Sequence, residues 1–527
     1  MPHVYKQFGA LIFLMLSSIA AAQIPARPNV VLIMADDLSR DEVGAYGGRT
    51  LTPHIDQLAE SGQLFTQAYT VVSVCSPSRY TTLTGRFPGR CTHPEYLKRN
   101  PPGAINRPSN RAIELERDRP NLMKALQANG YVTGLVGKWH LGEWMCGWQV
   151  DGEWKFPPGF YAMGLQAYSH DASFDDPEFN QALRHNQEIF REELQADGWD
   201  EAAAIYWANP RELHHDQLNN HNVEWLTHAA VEFIQRHQGE PFFLYLASTI
   251  PHVPEPIETL KRGDDPRLTG EGVTEKHLGV QPARADVMAR VQAAGLAPET
   301  APITWLDDGV GAVMQTLEDS GLAANTVVIF TSDHGLPGKA TLYQDGVWIP
   351  LVISGAGIPE GIENLPVQLT DLTPTILDLT DTPPQSDLGV DGRSLTSLWR
   401  DKDASQWHDD LYFEYGYARA VIHDDWKYIA VRYPEEAVAA FELGETEHLP
   451  YLGTNSSLGA WQARRRPDSY YVKDQLYNLA QDPEEKRNLA NDPRYSKVLA
   501  EMQKRLSRYL ATYPERPFGE LHLVEAR

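Results

Sequence analysis

Short apolar runs that stop at polar residues recur along this chain. Asn29 to Asp37 reads NVVLIMADD, an uninterrupted run closed by two carboxylates. PFFLYLAST leads into Pro251 and His252, TVVIFTSDHG contains Asp333 and His334, and PLVISG spans Pro350 to Gly355. Runs without alternation predict strands covered on both faces, as in a mainly parallel sheet. Helical patterns lie between them: NLMKALQANG from Asn121 to Gly130, and DDGVGAVMQTLEDSG before Leu322, each closed by glycine. Such alternation predicts an α/β fold, in which ligands collect at the carboxyl ends of strands. The polar residues just named all fall at such ends.

The pattern fades over residues 143–225, which are rich in Trp, His, Asp and Asn. This stretch reads either as an elaborated loop region over a site or as a surface insertion with small helices of its own. Beyond Trp399, YFEYGYARAVIHDDWKYIAVRY predicts two or more antiparallel strands, and the chain from Pro483 onward predicts helix. The expected division is a catalytic domain over 23–405, with 143–225 as a variable insertion, and a C-terminal α+β subdomain over 406–527. No internal repeat or long low-complexity linker interrupts it.

Composition narrows the class. At 527 residues the chain exceeds one ordinary domain, and 42% hydrophobic with 22% charged residues is a globular balance. Residues 1–22 read as a cleaved secretory signal: Lys6, the apolar GALIFLMLSSIA, then Ala20 to Ala22 before Gln23. A buried N-terminal helix is the alternative. The apolar stretch is shorter than the roughly 20 residues a bilayer span needs. No cysteine follows it to carry a lipoprotein anchor, so the expectation is an exported protein, periplasmic or secreted, without stable membrane insertion. Of three cysteines, Cys91 and Cys146 are free to pair in an oxidising compartment and leave Cys75 apart. A net charge of −25 argues against nucleic acid and repels any polyanion at long range. An anionic substrate would need a local positive site, such as a metal with a few Lys and Arg.

Taken singly, Asp36 with Asp37 and Asp333 with His334 each read first as a loop cap or solvated turn. Together, at the ends of neighbouring strands, they form a plausible site for a hard cation. In GLVGKWHLG, Lys138 and His140 are two residues apart, so in extended backbone they point the same way. They suit holding an anion and moving a proton, or else are a surface lysine and a hydrogen-bonded histidine. His252, in TIPHVPEP, sits in a proline-stiffened loop, and Lys339 lies six residues after Asp333.

The stretch CSPSRYTTLTGR from Cys75 to Arg86 unites these features. It has the form C-x-P-S-R-x-x-x-L-T-G-R and, with NVVLIMADD, GLVGKWHLG, PHVP, FTSDHG and GKATLYQDGVWIPLVISG in order, resembles the type I sulfatases of the alkaline phosphatase superfamily. QLTDLTPTIL, GVDGRSL and QLYNLAQDPEEKRNLA continue the likeness, which covers most of Pro28 to about Asn491. The resemblance implies an alkaline-phosphatase-like large mixed, mainly parallel sheet flanked by helices. It implies that a formylglycine-generating enzyme oxidises Cys75 to Cα-formylglycine, with Pro77 and Arg79 in the recognised motif. The hydrated aldehyde offers two hydroxyls, one to attack sulfur and one whose deprotonation releases sulfate. The family pattern makes Asp36, Asp37, Asp333 and His334 ligands of Ca2+, with residue 75 bridging metal and substrate. Arg79 would hold the modified side chain and Lys138 and Lys339 the sulfate oxygens. His140 would deprotonate the second hydroxyl and His252 would protonate the leaving oxygen. His334 stands where many members have Asn, which leaves another divalent metal open. His54 also replaces a commoner Asn and reads as structural.

The expected substrate is a sulfated glycan, with algal polysaccharides (ulvan, carrageenan, fucoidan fragments) and glycosaminoglycans both open. Trp144, Trp148, Trp154 and Trp207 are candidate sugar contacts, although tryptophan is more often packed than ligand-facing. Three rivals stand behind this reading: a phosphonate or phosphate ester hydrolase, a non-catalytic glycan-binding homologue, and a hydrolase using the Cys75 thiol directly.

Overall fold

The computed structural model describes residues 27–101, 113–142, 147–150, 153–274, 279–383, 385, 387–400, 407–432, 461–462, 464–466, 468–513 and 518. The signal-peptide reading of residues 1–22 falls outside them, as do Trp144, Cys146 and the side chain of Trp148.

Eight strands form the central sheet: β1 (Asn29–Asp36), β2 (Gly62–Phe65), β3 (Val132–Lys138), β4 (Glu201–Tyr206), β5 (Phe242–Pro251), β6 (Thr326–Ser332), β7 (Leu351–Gly355) and β8 (Gly361–Glu363). Their order is β8-β2-β7-β6-β1-β5-β3-β4. The run from β6 to β4 is parallel throughout, while β7 is antiparallel to both β6 and β2. The sheet is therefore large, mixed and mainly parallel.

β1 shows why its run is unbroken. Val30, Leu32 and Met34 face one core, and Val31, Ile33 and Ala35 face the other, as the two-residue strand period requires. On one face pack α1 (Pro53–Glu60), α5 (Val223–Arg236) and α6 (Ala301–Asp319). On the other lie α2 (Cys75–Thr84), α3 (Leu122–Ala128) and α7 (Leu372–Leu379). The long helix α4 (Pro177–Asp197) serves both cores, with Phe179 and Leu183 in one and Phe190 and Leu194 in the other. The His54 ring lies where a Cβ on Gly311 of α6 would collide with it at 2.5 Å, so it is a helix-packing residue.

The 143–225 stretch is more than loop. It supplies α4 and then β4, which joins the central sheet as an edge strand beside β3. A second, four-stranded antiparallel sheet follows: β9 (Leu411–Tyr415), β10 (Ala418–His423), β11 (Trp426–Val431) and β12 (Asp474–Asn478). One face carries α8 (Ser496–Leu510) through Leu499, Met502 and Leu506. Turns and a short 3-10 segment precede α8, so the helix begins later than the Pro483 expected from sequence. The opposite face packs on Tyr69, Val72 and Val74, the residues leading into Cys75.

Candidate active site

The parallel strands deliver their carboxyl ends side by side, β6-β1-β5-β3, and the chemistry-bearing residues are there. Asp36 ends β1, Lys138 ends β3, and Asp333 with His334 follows β6. Cys75 opens α2, a helix whose ten residues are all buried. Its threonines are accommodated because Thr81, Thr82 and Thr84 each donate to the carbonyl four residues back. Three non-glycine residues around the cluster have left-handed backbone: Asp37 (φ 69°), His140 (φ 56°) and Ala340, next to Lys339 (φ 62°). Such residues persist where the surroundings over-determine them, and they concentrate at functional sites.

Asp333 is the hub. Its Oδ1 accepts the backbone N–H of Asp37 at 3.0 Å and of His334 at 2.9 Å, and its Oδ2 accepts from Arg79 at 3.0 Å. Ser78 Oγ donates to the Asp333 carbonyl at 2.6 Å, docking α2 on the end of β6. Arg79 also donates to the Lys138 carbonyl at 3.3 Å and to Tyr245 Oη at 3.1 Å. Lys138 Nζ lies 2.6 Å from Asp36 Oδ2, and Lys339 Nζ lies 2.8 Å and 2.9 Å from the two Asp37 oxygens. Cys75 Sγ is 3.4 Å from His334 Nε2 and 3.6 Å from Lys339 Nζ.

These residues fit a divalent cation. Asp36 Oδ1 is buried and accepts no hydrogen bond among the described residues, with Arg79 3.5 Å away. Donor atoms of Asp37, Cys75 and His334 lie within 4.8 Å of one another, as do those of Asp36, Cys75 and Asp333. Three carboxylates suit a hard ion such as calcium, while the imidazole also admits softer ones.

Electrostatics sort the groups. Burial works against ionised Asp36, but Lys138, His252, Arg79 and Lys339 hold it well below the usual carboxylate range. Asp37 is likewise brought to about 2 against burial by Lys339, His252 and His334. Asp333 is raised by burial and the neighbouring Asp36 charge. Burial pushes the Cys75 thiol far up, more than Lys138 and Lys339 lower it, so a thiolate nucleophile is disfavoured. His140 is depressed by burial and Lys138, which keeps its imidazole neutral. His252 is lowered to about 4 by burial and Lys339. Its Nδ1 donates to the Val253 carbonyl at 2.8 Å, which leaves Nε2 facing Asp37 Oδ2 at 3.7 Å.

Asp36, Asp37, Cys75, Arg79, Lys138, His140, His252, Asp333, His334 and Lys339 thus converge. The route for His140 differs from the sequence argument. Strand alternation does not carry it, because Gly137 (φ 99°) and His140 are both left-handed, and the His140 N–H is held by the Trp207 carbonyl at 2.6 Å. Trp207 itself is 6% exposed and stacks on Phe190, so it is a core side chain. Trp154 is half-buried, edge-on to His214. Cys91 is a buried thiol donating to the Glu114 carbonyl, and its expected partner Cys146 lies outside the described residues.

Sequence reasoning missed three supports. Tyr245, within β5, anchors Arg79. Asn209, just past β4, accepts from Lys138 Nζ at 3.1 Å. The strand-end rule would have found it had β4 been recognised. Buried His221 accepts from Thr249 at 2.8 Å and donates to the Pro254 carbonyl at 2.6 Å, spanning the loop that carries His252.

A mainly parallel sheet thus carries clustered carboxylates, buried cations and a helix-start cysteine at its strand ends, an arrangement suited to hydrolysis of an anionic ester. The family model described as Sulfatase matches residues 28–382. Human "Arylsulfatase A" is 30% identical over 519 residues, covering 91% of this chain and 87% of that protein. Human "N-sulphoglucosamine sulphohydrolase" is 28% identical over 529 residues, covering 92% and 90%. Among solved structures, one in complex with its substrate D-glucosamine-2-N,6-O-disulfate superposes with a TM-score of 0.58 at 18% identity, covering 95% of this chain and 100% of that one. The chain belongs to the sulfatase family and is a sulfuric ester hydrolase. No helix among the described residues is long and apolar enough to cross a membrane.

Proposed function

We propose that this protein hydrolyses sulfate esters on carbohydrate, using Cys75 converted to formylglycine and a divalent metal, calcium first, held by Asp36, Asp37, Asp333 and His334. The observation that carries this is the buried cluster joining those four residues and Cys75 to Arg79, Lys138 and Lys339. The formylglycine hydrate and the metal supply the nucleophile and its acidification. The chain's own residues do the rest. Three carboxylates and the cations Arg79, Lys138 and Lys339 balance one another, so an added dication leaves the pocket positive towards a sulfate ester. Lys138 and Lys339 hold the sulfate oxygens and stabilise charge that develops there. Neutral His140 takes the proton that must leave residue 75 for sulfate release. His252 passes an Nε2 proton to the leaving oxygen from its imidazolium form, which Asp36, Asp37 and the ester's charge favour and Lys339 and the dication oppose.

The glycan assignment draws on relatives named for sulfated glucosamine. An exported enzyme with an algal polysaccharide or glycosaminoglycan substrate extends the same reading. It divides the chain into a catalytic domain to about residue 405 and a C-terminal subdomain. The test is the peptide containing residue 75, analysed by mass spectrometry after production with a formylglycine-generating enzyme, alongside turnover of 4-nitrophenyl sulfate. The expected result is an aldehyde or its hydrate together with turnover. An unmodified thiol with turnover retained would refute the mechanism, and a converted residue with no sulfate ester hydrolysed would refute the activity.

A further inference from the structure

A cavity of about 710 Å³, large enough for one or two sugar units, lies between the catalytic loops and the C-terminal subdomain. Its walls include Ser39, two residues after Asp37, and Pro337, two residues before Lys339. Two residues of chain span at most about 7 Å, so the cavity adjoins the candidate active site.

The wall is built around arginine. The Arg40 guanidinium lies 4.1 Å from the Trp348 ring centroid and 4.6 Å from that of Tyr46. Its Nε is buried without a hydrogen-bond partner, and no carboxylate pairs with this side chain among the described residues. Beside it, Arg465 and Arg466 share one carboxylate, Asp345, at 3.1 Å and 2.9 Å. Two guanidinium groups thus converge on a single acid, and Arg40 adds a third to the same wall. Other acids of the wall are already answered: Glu485 by Lys427 at 2.9 Å, and Glu484 by Lys486. Asp41 and Asp468 are exposed. Arg40 is thus held half-buried against two aromatic rings with its Nε unpartnered, and an anion in the cavity would satisfy it.

We propose that this cavity is a second subsite, in which Arg40, with Arg465 and Arg466, takes an anionic substituent on the sugar next to the one bearing the scissile ester. A planar fork suits carboxylate and sulfate alike, so a uronate or a second sulfate is the group bound. The inference rests on the glycan reading above and makes the substrate an acidic oligosaccharide.

The test is calorimetric, on the full-length, calcium-loaded protein with unconverted Cys75, so that ligand is not consumed. The probes are N-acetylglucosamine 6-sulfate, the same sugar linked to glucuronate, and the same sugar linked to a second sulfated hexosamine. At least one disaccharide is expected to bind about tenfold more tightly than the monosaccharide, the scale of one charge-assisted contact. Which one does so distinguishes uronate from sulfate. Arg40→Gln, which keeps a stem over Trp348, should abolish that preference, and Arg465→Ala should weaken it if the first variant does not fold. Equal affinity for all three probes, or a preference that survives in a folded variant, overturns the subsite. Turnover of 4-nitrophenyl sulfate by a formylglycine-converted sample needs no second sugar, so its presence without the preference sinks the subsite alone, and failure of that sample to hydrolyse it or any of the three probes sinks the proposed mechanism.

Discussion

His252 is the residue whose role turns on one proton. Its Nδ1 is committed to the Val253 carbonyl, so proton traffic runs through Nε2 on the side facing Asp37. An acid matters in proportion to how poor the leaving group is. His252→Ala should therefore cost about 100-fold in kcat on an alkyl or sugar sulfate and only a few-fold on 4-nitrophenyl sulfate. Equal losses on both would remove His252 from the acid role. The individual residues were largely legible, because Cys75, Arg79 and the Asp and His pairs sit in short motifs. Tyr245 and Asn209 were not, since a tyrosine in a strand or an asparagine before proline announces nothing until the fold brings Arg79 and Lys138 to them.

Among the elements, β3 shows how a backbone position governs a distant side chain. Gly137 has φ 99°, and a Cβ there would lie 2.1 Å from the Ala247 carbonyl oxygen of β5. This left-handed glycine, in regular pairing with Ala247, leads straight into Lys138 and His140. Gly137→Ala should thus destabilise the fold by about 2 kcal/mol or more. It should also depress kcat beyond what lost folded protein explains, read by urea unfolding beside activity per folded molecule. Wild-type values for both would show that the Gly137 conformation is not what positions Lys138. The 143–225 stretch carries the opposite lesson. Its helix α4 has Phe179, Leu183, Phe190 and Leu194 at helical spacing, but buried Asn186 and Gln187 break the apolar stripe. Strand β4, EAAAIY, is half alanine and so carries little strand preference of its own. Gln187 bonds both the N–H and the carbonyl of Ile205, which ties helix to strand in a way no local pattern displays.

At the scale of the molecule, two sheets and a charge cluster are coupled. The C-terminal sheet buttresses Val72 and Val74 ahead of Cys75, while Gln462 donates to the Lys339 carbonyl at 2.8 Å. Asp36, Asp333 and His334 would hold a metal between β1 and the β6 loop, and a ligand bound only by the folded state would stabilise it by mass action. Millimolar Ca2+ is expected to raise Tm by several degrees and a chelator to reverse it, read by calorimetry. Identical Tm values in both conditions would exclude calcium, and a larger shift with a softer ion would assign His334 its reason. The sequence by itself determined the α/β class, the strand ends as the place of chemistry, and the family, because each is written in contiguous residues. Only the tertiary structure decided that residues 36, 75, 138, 252, 334 and 339 share one buried cluster, that Trp207 is core, that β4 closes the sheet edge, and that Arg40 faces a cavity. Those facts depend on contacts between segments up to hundreds of residues apart, where burial and charge are set by neighbours that no local pattern names.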